Sequence, residues 1–424
     1  MGFFWGMING WCSNRHPKKI ALNKEYPMKS GFFPSGNLNL YYEIHGEETG
    51  QPAIFLNGGP GFSHDYLMSM CSLAPEIQVI FYDQRGTGQS DKTDPSGYTI
   101  DANVEDVEHL RQALGLETFI LFGHSWGGIL AQAYALKYPR RIAKLVLADT
   151  FATCDDLNEV LARMRTAVPE ETRAVYERCE REGLYQNGDR YSDEYQAALD
   201  IAYEPVSFSV TPPAYLEGMF SQLAYDVYRA MWGEESEFRV TGTLAGFNTL
   251  DHLGQIGAPA LVIVGASDMP GVEMARQMAN ALPDARLEVF EHSRHYPFIE
   301  EPESFFRVMR KFLDLDQENS MENQPIDEIV VEGPDAQANA PESESVFEPQ
   351  VATDVEGEQI QFGPGFAVNV SAVKDIHMTQ AGGLNVSAGR DVEMAYGGAL
   401  AVAAGQDMEM AYGGAMIVAV GHDL

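Results

Sequence analysis

The chain has 424 residues, more than one ordinary domain, so its length suits a catalytic core with appendages. Asp and Glu number 62 against 28 Lys and Arg, and the formal charge of −34 excludes nucleic acid and anionic membrane surfaces as partners, since both would repel it. Cys12, Cys71, Cys154 and Cys179 show neither CxxC nor metal-ligand spacing; they predict free thiols in a reducing compartment, with no metal and no cofactor.

The start, Met1-Gly2-Phe3-Phe4-Trp5-Gly6-Met7-Ile8, is apolar but has no basic n-region and no clear cleavage site. It reads as part of an N-terminal arm over 1–35, with a weak membrane anchor as the alternative. No apolar run approaches transmembrane length, and the expected location is cytoplasmic. Residues 38–45 alternate as an early strand. Pro52-Ala53-Ile54-Phe55-Leu56 is a fully apolar strand that runs into Asn57-Gly58-Gly59-Pro60-Gly61. Two glycines clear side chains from that loop, so the N–H of Gly59 is a candidate oxyanion donor; a tight surface turn is the plainer alternative. Val79-Ile80-Phe81-Tyr82 predicts another strand, and Val107, Leu110 and Leu114 space a helix over 103–115.

Phe119-Ile120-Leu121-Phe122 then leads through Gly123-His124-Ser125-Trp126-Gly127-Gly128 into a helix from Ile129 to Leu136. A strand turning into a helix over Gly-x-Ser-x-Gly reads as a nucleophile elbow, with a glycine-rich strand–helix turn carrying an incidental serine as the plainer alternative. It projects the Ser125 hydroxyl from the carboxyl end of a sheet and offers the N–H of Trp126 as a second oxyanion donor. Leu145-Val146-Leu147-Ala148 is the next buried strand. Continuous apolar strands alternating with helices predict an α/β fold with a mostly parallel sheet covered on both faces.

Residues 151–243 change character to helices and loops with no obvious strand, as expected of a helical cap. The core, 36–150, resumes over 244–315. Residues 259–264 form a strand that ends at Gly265-Ala266-Ser267-Asp268, and residues 287–290 form one that ends at Glu291-His292-Ser293-Arg294-His295. A closing amphipathic helix covers 302–313. The order Ser125, Asp268, His295 is that of α/β-hydrolases. A serine hydroxyl needs an imidazole to take its proton, and a carboxylate to hold that imidazole in one tautomer. His292 competes with His295 for the base, and Asp149 is the fallback acid.

The matching stretches Gly58-Gly59-Pro60-Gly61, Ser63-His64-Asp65-Tyr66-Leu67, Tyr82-Asp83-Gln84-Arg85-Gly86 and the elbow, with the Asp268 and His295 segments, resemble the proline iminopeptidase (prolyl aminopeptidase) family of α/β-hydrolase serine peptidases. The resemblance covers about residues 36–315. It implies release of an N-terminal residue, often proline, from a peptide or aminoacyl amide through an acyl-enzyme. It also implies that Glu237, in Ser236-Glu237-Phe238-Arg239-Val240-Thr241-Gly242, pairs with the substrate's free α-amino group. A solvated surface charge is the alternative for that residue. Two positions depart from the family pattern: Asn57 stands where a histidine is usual, and Met269 follows the triad acid where members can place a carboxylate. Fewer anions would admit more apolar or neutral substrates. Phe220, Tyr225 and Trp232 are candidates for a pocket around a proline ring, or ordinary cap core.

From Asp314 to Glu358 the chain has no Lys or Arg and many acids, which predicts a disordered acidic linker over 316–362. Residues 363–424 repeat every sixteen positions: Asp375, Asp391, Asp407 and Asp423 recur, as do Val368, Leu384, Leu400 and Met416. Short alternating segments punctuated by glycine predict a β-solenoid-like stack, and its apolar end predicts homo-oligomerisation. The spacing is not that of calcium-binding nonapeptides. Three functions remain open: a serine aminopeptidase, an esterase or lactonase using the same triad, and a self-assembling scaffold with a vestigial hydrolase domain.

Overall fold

In the computed structural model, the described residues are 28–315, apart from 48, 185, 188–189, 217–218 and 220–221, and the strand segments between 350 and 420. They fall into two compact units, Met1–Gln324 and Pro325–Leu424.

The first unit is built on an eight-stranded sheet. In chain order its first strands are β1 (Met28–Ser35), β2 (Leu38–His45), β3 (Gln51–Leu56), β4 (Ile77–Tyr82), β5 (Phe119–His124) and β6 (Ile142–Ala148). Two strands of two residues each, β7 (Gln186–Asn187) and β8 (Arg190–Tyr191), pair only with each other. The sheet is completed by β9 (Ala260–Gly265) and β10 (Ala285–Phe290), in the order β1-β2-β4-β3-β5-β6-β9-β10. Only the β1–β2 and β2–β4 pairings are antiparallel.

The period of two along each central strand divides the core. Ile54, Leu56, Leu121, Leu145, Leu147, Val262 and Val264 belong to one apolar cluster, while Phe55, Ile120, Phe122, Val146, Leu261 and Ile263 belong to the other. Helices cover both. The first face takes α1 (Ile100–Ala113), capped where Thr99 Oγ1 accepts the Ala102 N–H at 3.2 Å, and α2 (Trp126–Lys137). Between β6 and β9 the chain inserts α3 (Cys154–Ala167), α4 (Glu170–Glu182), α5 (Asp193–Tyr203) and α6 (Tyr225–Trp232). Then follow α7 (Gly271–Ala281), α8 (Pro297–Glu300) and α9 (Pro302–Leu313), which lays Phe305, Met309, Phe312 and Leu313 on the second face. No helix among the described residues is long and apolar enough to cross a membrane.

The structure differs from the sequence reading in three places. Residues 28–35, expected in an N-terminal arm, form the edge strand β1, which buries Phe33 and exposes Phe32 at 58%. Residues 1–27, with the apolar start and Cys12, lie outside the described residues. The insertion contains the short β7–β8 pair where no strand was expected. Finally, strands begin at Gln350, inside the expected linker 316–362: β11 (Gln350–Gly357), β12 (Ile360–Phe362), β13 (Gly365–Ala372), β14 (Ile376–Thr379), β15 (Ala381–Ala388), β16 (Val392–Ala395), β17 (Gly398–Ala404), β18 (Met408–Ala411) and β19 (Gly414–Val420). Residues 316–349 and the recurring aspartates lie outside the described residues.

Those strands form two parallel sheets, β11-β13-β15-β17-β19 and β12-β14-β16-β18. From β13 onward the register follows the sequence repeat: Asn369 pairs with Asn385, Val386 with Val402, and Val392 with Met408.

Candidate active site

The elbow forms where β5 meets α2. Ser125 takes φ 55° and ψ −122°, a left-handed conformation that a non-glycine residue adopts only when its surroundings enforce it. The Ser125 N–H donates to Ala148 O at 2.9 Å, and Thr150 Oγ1 donates to Ser125 O at 2.7 Å. Gly123 and Gly127 are required by space: a Cβ on either would lie 2.2 Å from a backbone carbonyl oxygen, that of Gly127 or of Leu56.

The loops after β9 and β10 carry Asp268 and His295. His295 Nδ1 and Asp268 Oδ1 are 2.7 Å apart, and the same Asp268 oxygen accepts the Met269 N–H at 2.6 Å. Both residues are buried. His292 is exposed, and its backbone N–H donates to Glu301; the structure gives it no place beside Asp268. Asp149, the fallback acid, accepts the Gly265 N–H at 2.9 Å rather than meeting His295. No hydrogen bond joins Ser125 Oγ to His295 among the described residues.

The elbow and the histidine loop are joined by the residue before the serine. His124 Nε2 donates to His295 O at 2.8 Å, and Nδ1 lies 2.8 Å from the Tyr66 hydroxyl. That hydroxyl in turn accepts the Gly58 N–H at 2.5 Å. Complete burial pushes the His124 pKa well below its ordinary value, with the nearby His295 adding to the effect. Neutral His124, protonated on Nε2 and accepting on Nδ1, therefore ties together the three loops that surround the serine. Gly58, Tyr66 and His124 all lie in the family-like stretches, but nothing in their spacing announced the contact.

Gly59, with φ 119°, turns the glycine loop, and its N–H donates to no protein acceptor among the described residues. Trp126 is the first residue of α2, so its N–H has no intrahelical acceptor and sits at the positive end of the helix dipole. Asn57, in place of the family's histidine, is fully buried and closes the loop by donating to Phe62 O at 2.7 Å. Gln84 spans the two donor segments: Nε2 donates to Asn57 O at 2.9 Å, and Oε1 accepts the Trp126 indole N–H at 2.7 Å. Nothing in the sequence pattern around Gln84 assigns it that role.

The insertion is fastened over these loops. The Ala224 N–H donates to Gly61 O at 2.8 Å, and the Phe208 ring stacks on Tyr296 at 4.3 Å. Within the insertion Glu237 is buried, not solvated. Its Oε1 accepts the hydroxyls of Tyr203 and Tyr228, each at 2.7 Å, and its Oε2 accepts that of Tyr191. Burial raises the Glu237 pKa, against the opposing effect of the three tyrosines. Trp232 supports this group by donating to Glu237 O at 2.9 Å and stacking on Tyr228. Tyr225 is buried nearby; Phe220 lies outside the described residues. Among the described residues no three His, Cys, Asp or Glu side chains converge as a metal site.

A family model described as the alpha/beta hydrolase fold matches residues 52–302. The proline iminopeptidase of Saccharolobus solfataricus is 30% identical over 302 residues, covering 70% of this chain and 94% of the relative. That of Clostridioides difficile is 33% identical over 296 residues, covering 68% and 98%. Among solved structures, the proline iminopeptidase of Mycobacterium smegmatis superposes with a TM-score of 0.60 at 29% identity, over 68% of this chain and 98% of its own. The chain belongs to the proline iminopeptidase family of α/β-hydrolases and is a serine hydrolase.

Proposed function

We propose that the protein releases an N-terminal residue, proline or another small apolar amino acid, from peptides or aminoacyl amides through an acyl-enzyme. Ser125 is the nucleophile, His295 the general base and then acid, and Asp268 holds the imidazole in the tautomer that leaves Nε2 free to accept the proton. The observation that carries this reading is the 2.7 Å contact between Asp268 and His295, in the loops that follow β9 and β10 of the sheet that carries the elbow. Nucleophile and base need not touch before substrate arrives, because such contacts tighten in the Michaelis complex. The N–H groups of Gly59 and Trp126 stabilise the oxygen that becomes negative in the tetrahedral intermediate.

In the same reading the helical insertion is the cap, and Glu237 anchors the substrate ammonium. Two of its acceptor positions are taken on Oε1 and one on Oε2, so an incoming ammonium either takes the remaining Oε2 position or displaces Tyr191. Neutral Met269, beside Asp268, supports the second reading: turnover of neutral acyl substrates as an esterase or lactonase. Proline and alanine arylamides assayed against p-nitrophenyl esters separate the two. A kcat/KM preference for the arylamides supports the aminopeptidase, and turnover of esters alone supports the second reading.

The C-terminal strands form a β-solenoid in this proposal, and copies of the chain associate through it in a cytoplasmic protein. The sixteen-residue register supports that arrangement. Light scattering on the full chain should give a multiple of the 46.8 kDa monomer, and a monomeric mass at every concentration would contradict it.

A further inference from the structure

The end of β6 places a second acid directly behind the triad carboxylate. Asp149 adopts φ 51°, one of three non-glycine residues with positive φ among the described residues. Its backbone N–H donates to Ile263 O at 2.9 Å, and its Oδ1 accepts the Gly265 N–H at 2.9 Å. The strand end thus fixes both the backbone and one carboxyl oxygen of a residue with no solvent exposure.

The other oxygen is the informative one. Asp149 Oδ2 and Asp268 Oδ2 are both buried, and neither has a hydrogen-bond partner among the described residues. Gly265 brings the two residues together: its N–H donates to Asp149 Oδ1, and its carbonyl accepts the Asp268 N–H at 3.1 Å. Adjacent buried carboxylates cannot both ionise, since like charges at that range repel strongly in a dry site. A single proton between them satisfies both orphaned oxygens. Its location follows from the donors already in place. Asp268 Oδ1 receives two, the Met269 N–H and His295 Nδ1. Asp149 receives one.

We propose that Asp149 is a neutral carboxylic acid whose Oδ2–H donates to Asp268 Oδ2, making it a positioning residue for the triad acid. The order is then Asp149, Asp268, His295, Ser125, with one negative charge in the group at rest. The groups facing Asp149 agree with this. Asp268 from the loop after β9, Glu300 on α8, and the hydroxyls of Tyr66 and Tyr296 act on it electrostatically, and His295 lies beyond Asp268. Burial first, and Asp268 second, push the Asp149 pKa well above the ordinary carboxylate value.

The role of Asp149 in catalysis rests on the triad reading above; its protonation does not. Infrared spectra of full-length protein carrying isotope-labelled aspartate carboxyls, at neutral pH, test the protonation in the wild-type chain. A labelled protonated-acid carbonyl band is expected, and its absence overturns the proposal. The kinetic test compares Asp149→Asn with Asp149→Ala. An asparagine keeps both contacts, its oxygen toward Gly265 and its amide N–H toward Asp268. It should retain kcat/KM within about threefold and leave the acid limb of the pH profile in place. Alanine removes the donor, so the Asp268 anion holds protonated His295 more strongly. The acid limb should move up by roughly half a unit or more, with a fall in kcat/KM of about tenfold or greater. An acid limb that moves equally in both variants overturns the proposal, as does one that moves in neither. If the band is present but Ser125→Ala remains active, the triad reading fails and the protonated acid stands.

Discussion

His124 Nε2 donates to the backbone carbonyl of His295 at 2.8 Å, so the residue before Ser125 holds the loop that carries His295. Cutting that bond should displace the imidazole without touching substrate. We expect His124→Ala to lower kcat by roughly 10- to 100-fold while KM changes little, because small misplacements of a base are costly. Steady-state kinetics on an arylamide check this; a KM effect with unchanged kcat would contradict it.

The Glu237 anchor makes a different prediction. Glu237→Gln keeps the size and much of the hydrogen bonding to Tyr191, Tyr203 and Tyr228 but removes the charge. Turnover of aminoacyl arylamides should fall about tenfold or more, the scale of a charge-assisted hydrogen bond, while simple esters are spared. Equal loss on both substrate classes would mean that Glu237 serves the cap's structure alone.

Away from the site, His64 should govern alkaline stability. Burial alone would lower its pKa, but hydrogen bonds to Asp83, at 2.8 Å, and to Glu43 outweigh it and hold the value at about 10. Because this lies above the ordinary 6.5, the stabilisation is complete below about pH 6.5 and disappears as pH rises through about 10. The melting temperature should therefore fall across that window in the wild type and fall less in His64→Gln. Parallel curves for the two proteins would refute the assignment.

The elbow's glycines can be tested by space and by backbone angle separately. Gly127→Ala would set a Cβ 2.2 Å from Leu56 O, against backbone that cannot yield, and should cost about 3 kcal/mol or more. Gly115→Ala has positive φ but nothing within 4 Å, and should cost only about 1–2 kcal/mol. Denaturant unfolding of both variants measures the difference.

The parts of this architecture legible in the sequence were those written locally. β3, β5 and β9 are unbroken apolar runs because both faces of each are covered, and the elbow is announced by two glycines that no other residue can replace. β1 was missed because it is an edge strand with only Phe33 and Ser35 buried, and it carries Gly31 and Pro34, both unusual in a strand interior. Glu237 was placed by resemblance, but its tyrosine partners come from scattered points of the insertion. The contacts of His124 with His295, and of Asp149 with Gly265, span more than a hundred residues and have no periodicity to betray them. In the sequence Asp149 stands out only as a substitute for Asp268; the fold places both at Gly265.

The central claim is that Ser125 is the nucleophile, activated by His295 and Asp268. Its most direct test is mass spectrometry of the full-length protein after treatment with a fluorophosphonate. The account predicts one adduct, on the peptide carrying Ser125, with loss of activity in proportion to labelling and no adduct in Ser125→Ala. Labelling at another serine, or full activity in Ser125→Ala, would contradict it.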